Sequence, residues 1–140
     1  MARYLLDTNI LIYLLLNEED NISNEVLDII YNYSNQLFTS PIVVMEVLQL
    51  SRIKKIKFKD FKTEISLFEG IENKFNIKII PFSKPHTETL SKLKVASRHN
   101  DPFDHAIISH AITDKLILIS SDRKFEDYKK QNLNFVFNKR

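Results

Sequence analysis

Five short, apolar stretches recur along the chain with amphipathic segments between them, and this alternation limits the available folds more than any other feature. The apolar stretches are Ala2–Leu6, Leu37–Thr39, Ile77–Ile80, Leu116–Ser120 and Asn134–Phe137, each of strand length. The intervening segments read as helices. Asn9–Leu16 follows the first strand at once, with Thr8 and Asn9 as capping oxygens. Ile22–Tyr33 carries Ile22, Val26, Ile29, Ile30 and Tyr33 on one stripe. Ser40-Pro41 opens a helix to about Ile53, because a capping hydroxyl precedes a proline whose missing N–H costs nothing at the first helical position. Phe58–Phe75 places Phe61, Ile65, Phe68, Ile71 and Phe75 on one face, so the spacing predicts a single long helix. Pro85–Val95 and Pro102–Thr113 complete the set, and a short turn or helix holds Phe125 and Tyr128. Strands alternating with helices make βαβ units, so the predicted fold class is α/β: a single-domain three-layer sandwich around a central, mostly parallel sheet. The 140 residues fit one core, and the domain is expected to span 1–140.

Composition removes several function classes. There is no cysteine, hence no disulfide framework, thiolate metal site or thiol nucleophile. The one glycine, Gly70, cannot build a P-loop or a dinucleotide fingerprint. Asp7, Thr8 and Asn9 break the first apolar run, so neither a signal peptide nor a membrane span is expected and the predicted location is cytoplasmic.

In open parallel sheets ligands bind outside the carboxyl ends of the strands, so acids at those ends carry the functional argument. Asp7 ends the first strand. Asp122 follows Leu116–Ser120, the most hydrophobic strand, and Asp104 sits in the first turn of the helix opened by Asp101-Pro102. Glu46 lies in a segment, 41–50, whose only other polar side chain is Gln49, with no Lys or Arg within four residues. Each acid taken alone has a plainer account: Asp101 as an N-cap, Asp104 as a partner of the helix dipole, Asp7 and Asp122 as turn residues. Glu46 resists such an account, since an unpaired buried carboxylate costs several kcal/mol. The joint pattern is what counts. Four converging carboxylates repel one another unless a divalent cation joins them, and oxygen ligands favour Mg²⁺ or Mn²⁺ over zinc.

Net charge is only +2, but setting four of the 18 acids aside in one cleft leaves fourteen against 20 Lys and Arg, a rim suited to a polyanion. The same cations could equally be dispersed over solvated helix faces. Arg98, His99, His105 and Arg123 flank the acids and are the candidate contacts to such a polyanion, with the basic run Arg52–Lys59 as a further one or as a solvated helix end. The four histidines lack i, i+4 spacing among themselves and read as packing or substrate contacts rather than zinc ligands.

The stretches Leu5-Leu6-Asp7-Thr8-Asn9, Ser40-Pro41 through Met45-Glu46-Val47, His99 through Ile108, and Leu118-Ile119-Ser120-Ser121-Asp122 together resemble PIN-domain nucleases, and within them the VapC-like toxins of toxin–antitoxin pairs. The resemblance implies a metal-dependent endoribonuclease that leaves 5′-phosphate and 3′-hydroxyl ends. It makes Asp7, Glu46, Asp104 and Asp122 the catalytic and metal-binding quartet. Thr8 or Asn9 and Ser121 become polar support, and Asp101 a recurrent acid of less defined role. It further implies neutralisation by a cognate antitoxin, for which the basic run is a candidate docking surface, and a homodimer. His105 stands where the subfamily often has arginine. A catalytically inactive PIN-like module that binds RNA or protein is the competing reading. A receiver-like domain, suggested by Lys84-Pro85, fails because no acidic pair follows the first strand. A dehalogenase-type phosphatase fails because Asn9 stands where a second aspartate is needed.

Overall fold

The computed structural model describes residues 1–139; Arg140, the last residue of the expected domain, lies outside the described residues. The strands are β1 (Arg3–Leu6), β2 (Gln36–Thr39), β3 (Ile77–Ile79), β4 (Ile117–Ser120) and β5 (Asn134–Phe137). They form one sheet in the order β3-β2-β1-β4-β5, and every pairing is parallel. The helices are α1 (Thr8–Leu15), α2 (Asn24–Tyr31), α3 (Pro41–Arg52), α4 (Glu64–Glu69), α5 (Lys84–Lys92) and α6 (Pro102–Asp114). Consecutive residues of a strand point to opposite faces. Leu5 and Leu6 of β1 are both fully buried, as are Leu118 and Ile119 of β4, so the sheet is covered on both faces. Fully burying one such leucine stabilises the fold by about 1.5–3 kcal/mol. Ile10 and Leu11 of α1, Val43 and Val47 of α3, and Ile107 and Ile108 of α6 share that core.

Two helix starts follow the sequence cues, whereas α1 begins at Thr8 with Asp7 at the N-cap and no side-chain cap bond, so Thr8 and Asn9 do not cap it. Ser40 Oγ accepts from Ile42 N at 3.1 Å ahead of Pro41, and Asp101 Oδ1 accepts from Phe103 N at 2.9 Å ahead of Pro102. Such a cap contributes about 1 kcal/mol.

The second predicted helix is shorter than expected, with Ile22 before it and Tyr33 beyond it and fully exposed, and the long one is broken. The stretch 58–75 is not a single helix, because Thr63 and Ser66 form a reciprocal capping box that starts α4 only at Glu64. After α4 the chain widens into a π turn, Gly70–Lys74, closed by Phe75 N donating to Gly70 O at 3.1 Å, and Asn76 ends it in the left-handed conformation. Phe61 folds back so closely that a Cβ on Gly70 would stand 2.3 Å from its ring, which explains the glycine. Phe61 therefore reaches the turn that carries Ile71 without belonging to the same helix.

The order of strands reverses beside β1. The chain moves outward from β1 through β2 to β3, then returns to place β4 on the other side. The crevice above the carboxyl ends of β1 and β4 is therefore a topological switch point, where ligands bind in open α/β sheets.

Candidate active site

Parallel register brings the first and last acids together. Leu6 is level with Ile119, and Asp7 N donates to Ile119 O at 3.0 Å. Asp7 thereby stands beside Ser120, and Asp122 lies two residues further on. Asp7 is only 4% exposed. Its Oδ2 accepts from Ser120 Oγ at 2.6 Å and from Asn9 Nδ2 at 3.4 Å. Ser120 Oγ also accepts from Asp122 N at 3.0 Å and from Asn9 Nδ2 at 3.3 Å, and Asn9 Oδ1 accepts from Ser121 N at 3.1 Å. One serine and one asparagine thus lock the ends of β1 and β4 to each other.

Glu46 enters from the second turn of α3, half-buried, and accepts from Thr8 Oγ1 at 3.0 Å. Asp104, from the first turn of α6, pairs with His99, whose Nε2 lies 2.9 Å from Oδ2. The four acids share one field. Burial, followed by the charges of Asp104 and Asp122, raises Asp7 to about 6 against the lowering effect of its hydrogen bonds. Burial likewise raises Glu46 to about 7, with Asp7, Asp104 and Asp101 adding to it. Asp104 is raised by burial and by Asp101 and Asp122. Among the described residues no Lys or Arg forms an ion pair with any of the four. A cluster that is desolvated, mutually repulsive and without a cation partner is suited to binding a hard divalent ion through oxygen.

The flanking residues divide. Thr8 donates to Glu46 and Asn9 to Asp7. Ser121 does not: its Oγ accepts from Asn138 Nδ2 at 2.8 Å, and the hydroxyl at Asp7 belongs to Ser120, for which the sequence predicts no role. A signal exists, since a serine ending a fully buried strand needs a partner. Asp101 is exposed and caps α6 while adding its charge to the cleft. Arg98 and Arg123 are exposed, the latter with its guanidinium 4.3 Å from the Phe137 ring centre. His99 and His105 are not on the surface, which corrects their expected place as RNA contacts. His99 is 2% exposed and committed to Asp104, and the buried His105 bonds through Nε2 to His99 O at 2.7 Å. The two histidine rings therefore meet edge to face beside Asp104 rather than reaching outward.

A parallel α/β sheet whose switch-point crevice receives carboxylates from four separate segments defines an acid-cleft domain. The chain belongs to the PIN domain family, whose model matches residues 4–131. No curated protein sequence matches it. Among solved structures it is similar to VapBC2 from Rickettsia felis bound to a DNA fragment from its promoter, at 24% identity over 96% of this chain and 98% of that one, with a TM-score of 0.66. It is also similar to VapBC-5 of Mycobacterium tuberculosis, described as a member of the VapBC family of toxin-antitoxin systems (15% identity, 98% and 99% covered, TM-score 0.64). VapBC-1 from nontypeable Haemophilus influenzae is a third (20% identity, 96% and 97% covered, TM-score 0.62). No helix among the described residues is long and apolar enough to cross a membrane.

Proposed function

We propose that this chain is the toxin of a toxin–antitoxin pair and that it hydrolyses RNA phosphodiesters with Mg²⁺ or Mn²⁺ held in the acidic cleft. The observation that carries this reading is the convergence of Asp7, Glu46, Asp104 and Asp122 without a side-chain cation. Asp7, Asp104 and Asp122 are the proposed ligands. When bound, the cation would lower the pKa of water and offset charge on the scissile phosphate. Glu46, raised to about 7 and fixed through one oxygen by Thr8, is placed to accept the proton of the attacking water near neutral pH. The water oxygen bonds to phosphorus as its proton passes to Glu46, the bond to O3′ breaks, and O3′ takes a proton from solvent to leave as a hydroxyl opposite a 5′-phosphate. Arg98 and Arg123, at the rim, are the proposed phosphate contacts.

The antitoxin reading is supported by the VapBC systems among the similar structures and by an apolar groove between α3 and α4. Met45, Phe68 and Phe103 line it while partly exposed, and Glu46 borders it.

Single-stranded RNA incubated with the protein and Mg²⁺ or Mn²⁺ is expected to yield 5′-phosphate ends, to stay intact in EDTA, and to be cut again when the ion is restored. RNA that binds but stays whole with either ion would favour the inactive module instead.

His99 is a positioning residue in this scheme. Its Nε2 lies 2.9 Å from one oxygen of Asp104 and leaves the other without a bond to it. Replacing it with alanine is expected to weaken activation by Mg²⁺ about 10–100-fold. His99→Gln, which keeps an N–H donor, should recover part of that loss in a titration of activity against Mg²⁺.

A further inference from the structure

A second group of ligating side chains lies at the far end of α6. His86, in the first turn of α5, faces His110 and Asp114, one helical turn apart on α6. His86 Nε2 is 3.0 Å from Asp114 Oδ1 and His110 Nε2 is 3.2 Å from Asp114 Oδ2. One ligand atom from each residue lies within 4.8 Å of the others, an arrangement the described acids of the cleft do not match in threes. Asp104 and Asp114 are ten residues apart on the same helix, so the two groups are separated by about 15 Å.

His110 points to a ligand. Its side chain is fully buried, yet neither ring nitrogen makes a well-aligned hydrogen bond: Nε2 approaches Asp114 Oδ2 at 3.2 Å, and the Pro81 backbone lies against the ring. Burial, with His86 next, pushes it down to about 4, so the ring is neutral and can offer a lone pair. Phe82 stacks on His86 and meets His110 edge-on, which fixes the orientation of both rings. Asp114 is 27% exposed and provides both the route in and room for a water ligand.

We propose that His86 Nε2, His110 Nε2 and the Asp114 carboxylate form a second cation site for a borderline transition ion such as Zn²⁺, distinct from the acidic cleft. Two imidazoles and a carboxylate with an open fourth position are a zinc-type donor set, whereas Mg²⁺ favours oxygen alone. Tetrahedral ligands at zinc bond lengths stand about 3.3 Å apart; the imidazoles approach different oxygens of Asp114, at 3.0 and 3.2 Å, so the carboxylate must turn to offer both the same oxygen. Binding has a local cost. His86 Nδ1 accepts from Ser83 N at 2.9 Å, so its Nε2 carries a proton that the ion must replace. The ring then holds its proton on Nδ1, with Ser83 Oγ, 3.4 Å away, as the acceptor, and the Ser83 N–H must turn aside. The Arg3 guanidinium donates to the Asp114 backbone carbonyl at 3.2 Å and not to its carboxylate.

The test uses the full chain carrying Asp7→Asn and Asp122→Asn, so that the acidic cleft does not compete. Titration with Zn²⁺ is expected to show one equivalent bound, with a rise in melting temperature that Mg²⁺ does not produce. Co²⁺ should give the intense visible spectrum of a four-coordinate nitrogen and oxygen site. Adding His110→Gln or Asp114→Asn should weaken Zn²⁺ binding about tenfold or more. Unchanged affinity in both, or a weak six-coordinate Co²⁺ spectrum, overturns the site. Metal-free melts check the fold of each variant, and Asp114→Asn, at a partly exposed position, decides the matter if the His110 variant does not fold.

Discussion

Asp7→Asn is expected to lower RNA cleavage about 10³-fold or more while making the metal-free protein more stable at pH 8. The two effects have one cause. Asp7 is held at about 6 in the folded protein against an ordinary 3.8, because burial disfavours its charge. A carboxyl raised by folding contributes stability that is fully present below the unfolded value and is lost as pH rises through the folded one. Between about pH 4 and pH 7 the metal-free fold therefore loses about 3 kcal/mol through this group. Asparagine keeps an oxygen for the Ser120 hydroxyl and removes the charge. The melting temperature in EDTA at pH 8 should rise by about 5–10 °C, with little change at pH 4. Cleavage fails because the amide is a poor ligand for a hard cation where the carboxylate stood. Melts at the two pH values and a cleavage assay on the same preparation check both halves. A fall in melting temperature on Asp7→Asn at pH 8 would mean that Asp7 has a partner which the cleft does not display.

The strain at Asp7 also shows which parts of the site are legible in the sequence. Strand ends can be placed because short apolar runs stop abruptly at Asp7 and before Asp122. Their meeting follows once the βαβ pattern has fixed a parallel sheet. Glu46 stands out because its helix is otherwise almost wholly apolar. What sequence does not carry is register at the scale of one residue. The choice between Ser120 and Ser121 depends on which of two adjacent side chains faces β1, and the apolar run before them does not alternate. Nor does it show that His99 and His105 turn inward, since loop residues beside acids look alike whether they reach for solvent or support a carboxylate. Over the stretch 58–75 the pattern misleads for a local reason: the capping box at Thr63 interrupts a periodicity that Phe61 only mimics. The cluster of His86, His110 and Asp114 depends on how α5 packs on α6, and no spacing within either helix encodes it.

The same electrostatics make activity steeply pH-dependent when Mg²⁺ is scarce. Asp7 at about 6 and Glu46 at about 7 must both be ionised, one to hold a cation and the other to accept a proton. Protonation of either removes function, so the rate should climb as pH rises from 5 to 8, by about 10²–10³-fold, with a logarithmic slope approaching two at the acid end. Saturating Mg²⁺ competes with protons at Asp7 and should move that part of the limb to lower pH, leaving a slope nearer one governed by Glu46. Glu46→Gln separates the two contributions: it should cost about 10²–10⁴-fold in rate at pH 8 and leave a single pH limb, set by Asp7, that Mg²⁺ moves to lower pH. The measurement is initial cleavage rate against pH at two fixed Mg²⁺ concentrations. A profile that stays flat from pH 5 to 8 at the lower one would mean that neither carboxylate titrates in the functional range.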